Sequence, residues 1–297
     1  MDLRLRKALR EAVLKRPTLF KMLKIVKGEG YKLLLLDYPY KATPRYGYGK
    51  APHELLHKLI KRHNLAYGKT LKEFLKLERQ LLKIPLTATG LSFEPYWANG
   101  WLPALDFVAL YSFISIYKPK IYMEVGSGLS TKLAKRAVLD NNLSTKIISI
   151  DPEPREEVDW ICDKAIRQPL EKANLNFFGD LTAGDILFID GSHRCLMNSD
   201  VNVFFLDILP KLKPGIIIGF HDVFLPNDYP PEAVGYYYSE QYMLALYLLS
   251  AKSSVEIIFP GAYISSDDKL SKVLNPLWRN PQLEALNKDG ASFWLKT

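Results

Sequence analysis

The residues equipped for chemistry fall in four short groups: Glu124-Val-Gly-Ser-Gly-Leu-Ser-Thr131, Asp151, Asp190-Gly-Ser-His193 and His221-Asp222. In the first, Gly126 and Gly128 make a tight turn between an apolar run, Ile121 to Glu124, and a helical pattern over 131–138. Glycine at such a turn lets a ligand approach backbone N–H groups and the positive end of a helix. A tight strand-to-helix turn also uses glycine for structural reasons alone. A dinucleotide fingerprint would carry a third glycine where Thr131 stands, and Glu124 would repel a pyrophosphate. A ligand with a cationic end suits that place better. Asp151 closes a second apolar run, Lys146 to Ile150, where an acid takes the hydroxyls of a ribose. Asp190 and Asp222 are hard oxygen donors, and His193 and His221 titrate in the range that serves proton transfer.

The elements that must position these groups alternate. An apolar helix, Asp106 to Tyr117, leads into the first strand. After Asp151 the pattern predicts a helix over 153–160, a short strand over 164–167 and a helix over 170–181. A fourth strand, Asp185 to Asp190, and a fifth, Ile216 to Phe220, flank a helix over 201–212 capped by Asn198 or Ser199. A long helix over 232–251, a strand over 255–259 and a last strand over 292–295 follow. This is an α/β pattern: a doubly wound, mostly parallel seven-stranded sheet of Rossmann-like type, covered on both faces. In such sheets ligands bind at the carboxyl ends of the strands. Four strands in succession end in glycines, acids or histidines, and a run of that kind on one sheet edge argues against chance.

Upstream, 54–82 is helical, with two helices predicted to break near Gly68, and Pro95 to Pro103 is an aromatic loop. Trp97, Asn99 and Trp101 there either line a pocket or tether the loop. The chain thus divides into a helical and loop-rich extension, 1–104, which would cap the site, and a catalytic domain, 105–297.

The segments 124–131, Phe188-Ile-Asp-Gly-Ser-His193 and Leu209-Pro-Lys-Leu-Lys-Pro-Gly215 with His221-Asp222 resemble class I S-adenosylmethionine-dependent methyltransferases of methyltransferase family 24. Asn99 to Pro103 and Glu240-Gln-Tyr-Met243 resemble that branch too, so the likeness covers roughly 40–260. It implies S-adenosyl-L-methionine held by Glu124, Gly126, Ser127, Gly128, Ser130 and Thr131, with Asp151, Asp190 and Gly191 completing the cofactor site. It implies O-methylation of a hydroxyl on a small molecule or a sugar or glycan, with His193 preferred as base and His221 and Asp222 beside it. Catechol O-methyltransferase-like relatives also hold a divalent metal, which here would be Mg2+ on Asp190 and Asp222. His221-Asp222-Val223 lacks the asparagine of their second pair, and the alternative is that both acids orient histidines and water.

Charge is uneven in this 297-residue chain of net charge +8: residues 1–83 hold 21 Lys and Arg against 7 Asp and Glu, and the remainder 19 against 25. Leu3, Leu5, Leu9, Val13 and Leu14 lie among Arg4, Arg6, Lys7, Arg10 and Lys15, as in a basic amphipathic helix. Such a face docks on an anionic membrane through 1–27, or packs on the body or on a second subunit of a homo-oligomer. No nucleic-acid module accompanies the charge, and Asp190-Gly-Ser-His193 occupies the place of the Asn/Asp-Pro-Pro-aromatic motif of amine-methylating nucleic-acid enzymes. A different class of protein, a non-catalytic cofactor-binding module docking through the basic segment, would not need the polar set at 190–193 and 221–222. Cys162 and Cys195 are too few for a disulfide framework, no apolar run reaches the roughly 18 residues of a membrane span, and charges interrupt the N-terminal apolar stretch. A cytoplasmic enzyme is expected.

Overall fold

The structure is a computed structural model and describes residues 40–90, 93–250 and 255–297. Residues Pro44–Thr297 form one compact unit. The basic segment 1–27 lies outside the described residues.

Seven strands build one sheet: β1 (Ile121–Val125), β2 (Lys146–Ile150), β3 (Lys164–Ile166), β4 (Ile186–Ile189), β5 (Ile217–Phe220), β6 (Glu256–Pro260) and β7 (Phe293–Lys296). Their spatial order is β3-β2-β1-β4-β5-β7-β6. The first five run parallel, while β7 is antiparallel to both of its neighbours. This is the Rossmann-like, mostly parallel seven-stranded sheet that the sequence pattern predicts, with its last strand antiparallel. Its strands read as continuous apolar runs because both faces are covered; β4 and β5 are buried throughout. The strand order reverses between β1 and β4, so the carboxyl ends of that pair open a crevice.

Helices α1 (Glu54–Lys61), α2 (Asn64–Leu75) and α3 (Glu78–Leu81) precede α4 (Ala104–Tyr117), which is apolar all round and buried along nearly its whole length. Phe113 of α4 meets Phe74, Phe259 and Trp294 at ring distances of 4.6–5.8 Å, which joins α2, α4, β6 and β7 into one core. Helix α5 (Leu129–Asp140) follows the glycine turn.

Several helices differ from the sequence pattern for local reasons. The break expected at Gly68 lies at Arg62–His63 instead, and Gly68 sits inside α2 beneath Leu270. Residues 152–158 are bends and irregular chain followed by one 3-10 turn, Asp159–Ile161, and Pro152 and Pro154 keep Asp151 and Glu153 out of the helical region where the helix would start. The helix expected over 170–181 is two 3-10 turns, the second capped by the Asn174 side chain. Ser199, not Asn198, caps α6 (Asp200–Val203), and a π-turn and a 3-10 turn carry that helical run to Lys211. The long helix over 232–251 is interrupted at left-handed Tyr237, and α7 begins only at Glu240 (Glu240–Leu249). Two short helices, α8 (Gly261–Ser266) and α9 (Asn275–Trp278), fill the passage from β6 to β7. No helix among the described residues is long and apolar enough to cross a membrane.

Candidate active site

The glycine turn is braced from below. Glu124, at the end of β1, is fully buried, and its carboxylate accepts from the hydroxyls of Tyr122 (2.9 Å), Ser130 (3.1 Å) and Thr131. The Thr131 hydroxyl accepts in turn from the Gly128 N–H at 3.0 Å. Burial pushes the Glu124 carboxyl up to about 8, against the downward pull of those hydroxyls. Gly126 has a φ of +86°, and a Cβ there would stand 1.9 Å from the Asp190 carbonyl oxygen. Glycine is therefore required by the close passage of the chain leaving β4, before any ligand is considered. From β2, Asp151 accepts the Ser127 N–H on Oδ2 and the Glu153 N–H on Oδ1, both at 2.8 Å. Each of its oxygens keeps a lone pair for a further donor.

The β4 end carries Asp190, whose N–H donates to the Val125 carbonyl at 2.8 Å. Gly191 lets the Asp200 carboxylate reach the Ser192 N–H at 2.6 Å, since a Cβ at 191 would lie 2.2 Å from that carboxylate. His193 (φ +57°) and Asp222 (φ +53°) both occupy left-handed backbone, an uncommon conformation that clusters at functional sites.

These residues meet in one cluster. His193 Nε2 lies 3.3 Å from Asp190 and 3.6 Å from Asp222, and His221 Nδ1 lies 3.3 Å from Asp190 and 3.7 Å from Asp222. On their inner sides, His193 Nδ1 is 2.9 Å from Glu240 and His221 Nε2 is 3.8 Å from Asp106. Asp106 is buried and accepts from the N–H groups of Ala291 and Ser292 and from the Ser292 hydroxyl. Burial alone would lower the His221 pKa, yet the Asp190 and Asp222 carboxylates raise it to about 9. His193 is likewise raised by Asp190 and Glu240 despite its burial. Burial opposes the charge on Asp190, but the two imidazoles beside it hold its carboxyl well below the usual range. The imidazoles are only 5% and 6% exposed, whereas the Asp190 and Asp222 side chains are 29% and 28% exposed. The carboxylates form the open side of the cluster and the histidines stand behind them.

Two cavities open at this edge. One, of about 450 Å³, is bounded by Gly126, Ser127, Asp151, Glu153, Asp190 and Gly191. The other, of about 390 Å³, lies between Tyr96, Trp101, Gly128, Ser130, Arg155 and Asp190. They share Ser127, Arg155 and Asp190. Glu124 and Thr131 line neither, because both face the interior as the brace. A larger cavity, about 540 Å³ beside Leu274 and Trp278, holds none of the predicted site residues.

The aromatic loop divides its two expected roles between two residues. Trp97 is buried, stacks on Phe107 at 4.4 Å and donates from its indole nitrogen to the Leu81 carbonyl. Trp101 is exposed, lies 4.3 Å from the Arg155 guanidinium and forms a wall of the second cavity. Asn99 closes the loop by accepting from the N–H groups of Trp101 and Leu102.

The expected Mg2+ site on Asp190 and Asp222 finds no support in the arrangement of these side chains. Among the described residues, no group of three or more His, Cys, Asp and Glu is arranged to hold a metal ion. Asp190 points one oxygen at both imidazoles and Asp222 points one oxygen at each, and among the described residues no third carboxylate joins them on the open side to give the oxygen-rich shell that magnesium favours. Sequence reasoning missed Glu240 and Asp106 as members of the cluster. Glu240 stands in a recognisable segment, but nothing in its spacing links it to His193, 47 residues away.

Residues 123–223 match the family model described as a methyltransferase domain, that of methyltransferase family 24. No curated protein matches the chain. Among solved structures, the chain is similar to an O-methyltransferase from Bacillus cereus in complex with SAH, at 13% identity over 77% of this chain and 91% of that one, with a TM-score of 0.37. It is similar to the O-methyltransferase TomG from Streptomyces achromogenes, involved in tomaymycin synthesis and in complex with SAM, at 14% over 82% and 96%, TM-score 0.37. The SAH-bound methyltransferase PaMTH1 of Podospora anserina aligns at 14% over 80% and 95%, TM-score 0.35.

Proposed function

We propose that this chain, a class I methyltransferase of family 24 by its residues 123–223, uses S-adenosyl-L-methionine to O-methylate a hydroxyl of a small molecule or a sugar or glycan. The observation that carries this reading is that two cavities meet at Ser127, Arg155 and Asp190, one of them beside the glycine turn and Asp151, and that Asp190, a member of the acid–imidazole cluster, lines both. Their volumes fall in the roughly 300–1,000 Å³ range of cofactor and substrate pockets.

The residues fit the cofactor. Asp151 has lone pairs to accept two ribose hydroxyls, the backbone of Gly126–Gly128 leaves an open path, and negative charge at Asp190 suits a cationic centre. Glu124 supports the turn from beneath rather than touching the ligand. When bound, S-adenosylmethionine supplies a methyl group on a sulfonium, and transfer requires an oxygen aligned behind that methyl. The Asp222 side chain is 28% exposed beside the two imidazoles it shares with Asp190, and it accepts the hydrogen bond of the acceptor hydroxyl. The acceptor's proton passes to an imidazole of the cluster in its neutral form, across the carboxylates that lie 3.3–3.7 Å from both rings, so turnover rises with pH towards the raised pKa of His221, about 9. Of the predicted capping extension, Tyr96, Trp101 and Leu102 wall the second cavity.

The test is calorimetry with S-adenosylhomocysteine, followed by a screen of hydroxyl acceptors with labelled cofactor, with and without EDTA. Micromolar binding and EDTA-insensitive transfer to an oxygen are expected. Absence of cofactor binding in folded protein would sink the proposal; binding without transfer to any acceptor class would favour the non-catalytic module.

A further inference from the structure

We infer that Glu240 is the positioning residue of His193: it fixes which ring nitrogen meets the Asp190 and Asp222 carboxylates. The inference rests on the methyltransferase reading for its consequence, but not for its geometry. Glu240 Oε2 lies 2.9 Å from His193 Nδ1, and both residues are almost wholly inaccessible, at 1% and 4% exposure. His193 is the one hydrogen-bond partner of the Glu240 carboxylate among the described residues. A carboxylate taken out of water with a single partner is expensive, and an apolar side chain would pack at lower cost. What Glu240 supplies that leucine would not is an acceptor for the Nδ1–H.

The main chain holds the same pair a second time. The N–H groups of Ser239 and Glu240 both donate to the His193 carbonyl, at 2.7 and 3.1 Å. The Ser239 hydroxyl accepts from the Cys195 N–H at 2.8 Å. The left-handed backbone at His193 is thus clamped to the first turn of α7 by three hydrogen bonds, and the imidazole is clamped by a fourth. With Nδ1 committed to Glu240, Nε2 is the nitrogen that meets Asp190 and Asp222. Rotation of the ring by half a turn would exchange a nitrogen for a carbon on that side, and both carboxylates would lose a shared partner. The other imidazole lacks such a hold: His221 Nε2 is buried without a hydrogen-bond partner, 3.8 Å from Asp106. The orienting carboxylate behind a catalytic imidazole has the logic of a triad, here applied to a cluster with two acids in front.

The experiment is long-range ¹H–¹⁵N NMR of the histidine side chains in the full chain, with His193 assigned by its absence in His193→Asn. Glu240→Gln keeps an oxygen to accept from Nδ1–H but removes the charge; Glu240→Leu removes the acceptor at similar size. In the native protein His193 Nδ1 should carry a strongly hydrogen-bonded proton. That proton should move upfield in Glu240→Gln and vanish into exchange in Glu240→Leu. Affinity for S-adenosylhomocysteine should stay within about threefold in both variants, since Glu240 lines neither cavity. Once an acceptor is known, Glu240→Leu should lose about 100-fold in kcat with little change in KM, and Glu240→Gln should recover much of the loss. An unchanged His193 signature in folded Glu240→Leu would overturn the inference. Should that variant not fold, an unmoved Nδ1 proton in Glu240→Gln overturns it equally. If native protein fails to bind S-adenosylhomocysteine while the NMR behaves as expected, the methyltransferase reading falls and the positioning role stands.

Discussion

Glu124 and Asp190 are buried or half-buried carboxyls at the ends of adjacent strands, yet they are driven in opposite directions. Glu124 meets only hydroxyls and is pushed up to about 8. Asp190 meets two imidazoles and is held below the ordinary carboxylate range. Burial disfavours charge at both places; the difference lies in whether a cation shares the site. One carboxyl therefore serves as a neutral structural brace and the other as a charge presented to the crevice.

The largest expected effect strikes both places together. Gly126→Val drives a Cβ into the Asp190 carbonyl at a left-handed φ, so it should cost at least about 3 kcal/mol by denaturant unfolding and abolish S-adenosylhomocysteine binding. Retained stability would show that the β1 turn and the β4 end are not locked as the geometry requires. Next, His193→Ala should lower turnover by about 10²–10⁴-fold while cofactor affinity, read by calorimetry, stays nearly constant. A matching loss of cofactor affinity would place His193 on the wrong ligand.

The brace is probed by pH. The folded pKa of Glu124, about 8, lies above its unfolded value, so the folded state binds the extra proton. The resulting stabilisation is complete below about pH 4.5 and is lost as pH rises to 8. Glu124→Gln should remove that term: the difference in Tm between wild type and variant should shrink, or shift in the variant's favour, from pH 5 to pH 8. Parallel curves would mean that Glu124 is charged in the fold. The smallest effect is expected at Trp101→Ala, which removes an exposed cation–π contact worth about 0.5–1 kcal/mol. It should weaken cofactor binding by only a few fold, and a larger loss would make Trp101 a direct ligand contact.

The sequence alone was enough for the alternation of elements, because strands buried on both faces are written as uninterrupted apolar runs. It was enough, too, for the four strand ends, since Gly126, Asp151, Asp190 and Asp222 each terminate such a run. It also marked Gly126 as indispensable, and the structure adds a reason that needs no ligand, the Asp190 carbonyl 1.9 Å from where a Cβ would stand. What it could not carry was the partner of each charged group. Glu240 reaches His193 across 47 residues, and Asp106 reaches the backbone at 291 and 292 across 185 and 186. Whether Asp190 and Asp222 take a metal or two imidazoles depends on oxygen and nitrogen positions within an ångström, and those follow from how β4, β5, α4 and α7 converge. Periodicity reports which face of an element is buried; only the packed structure decides what that face meets.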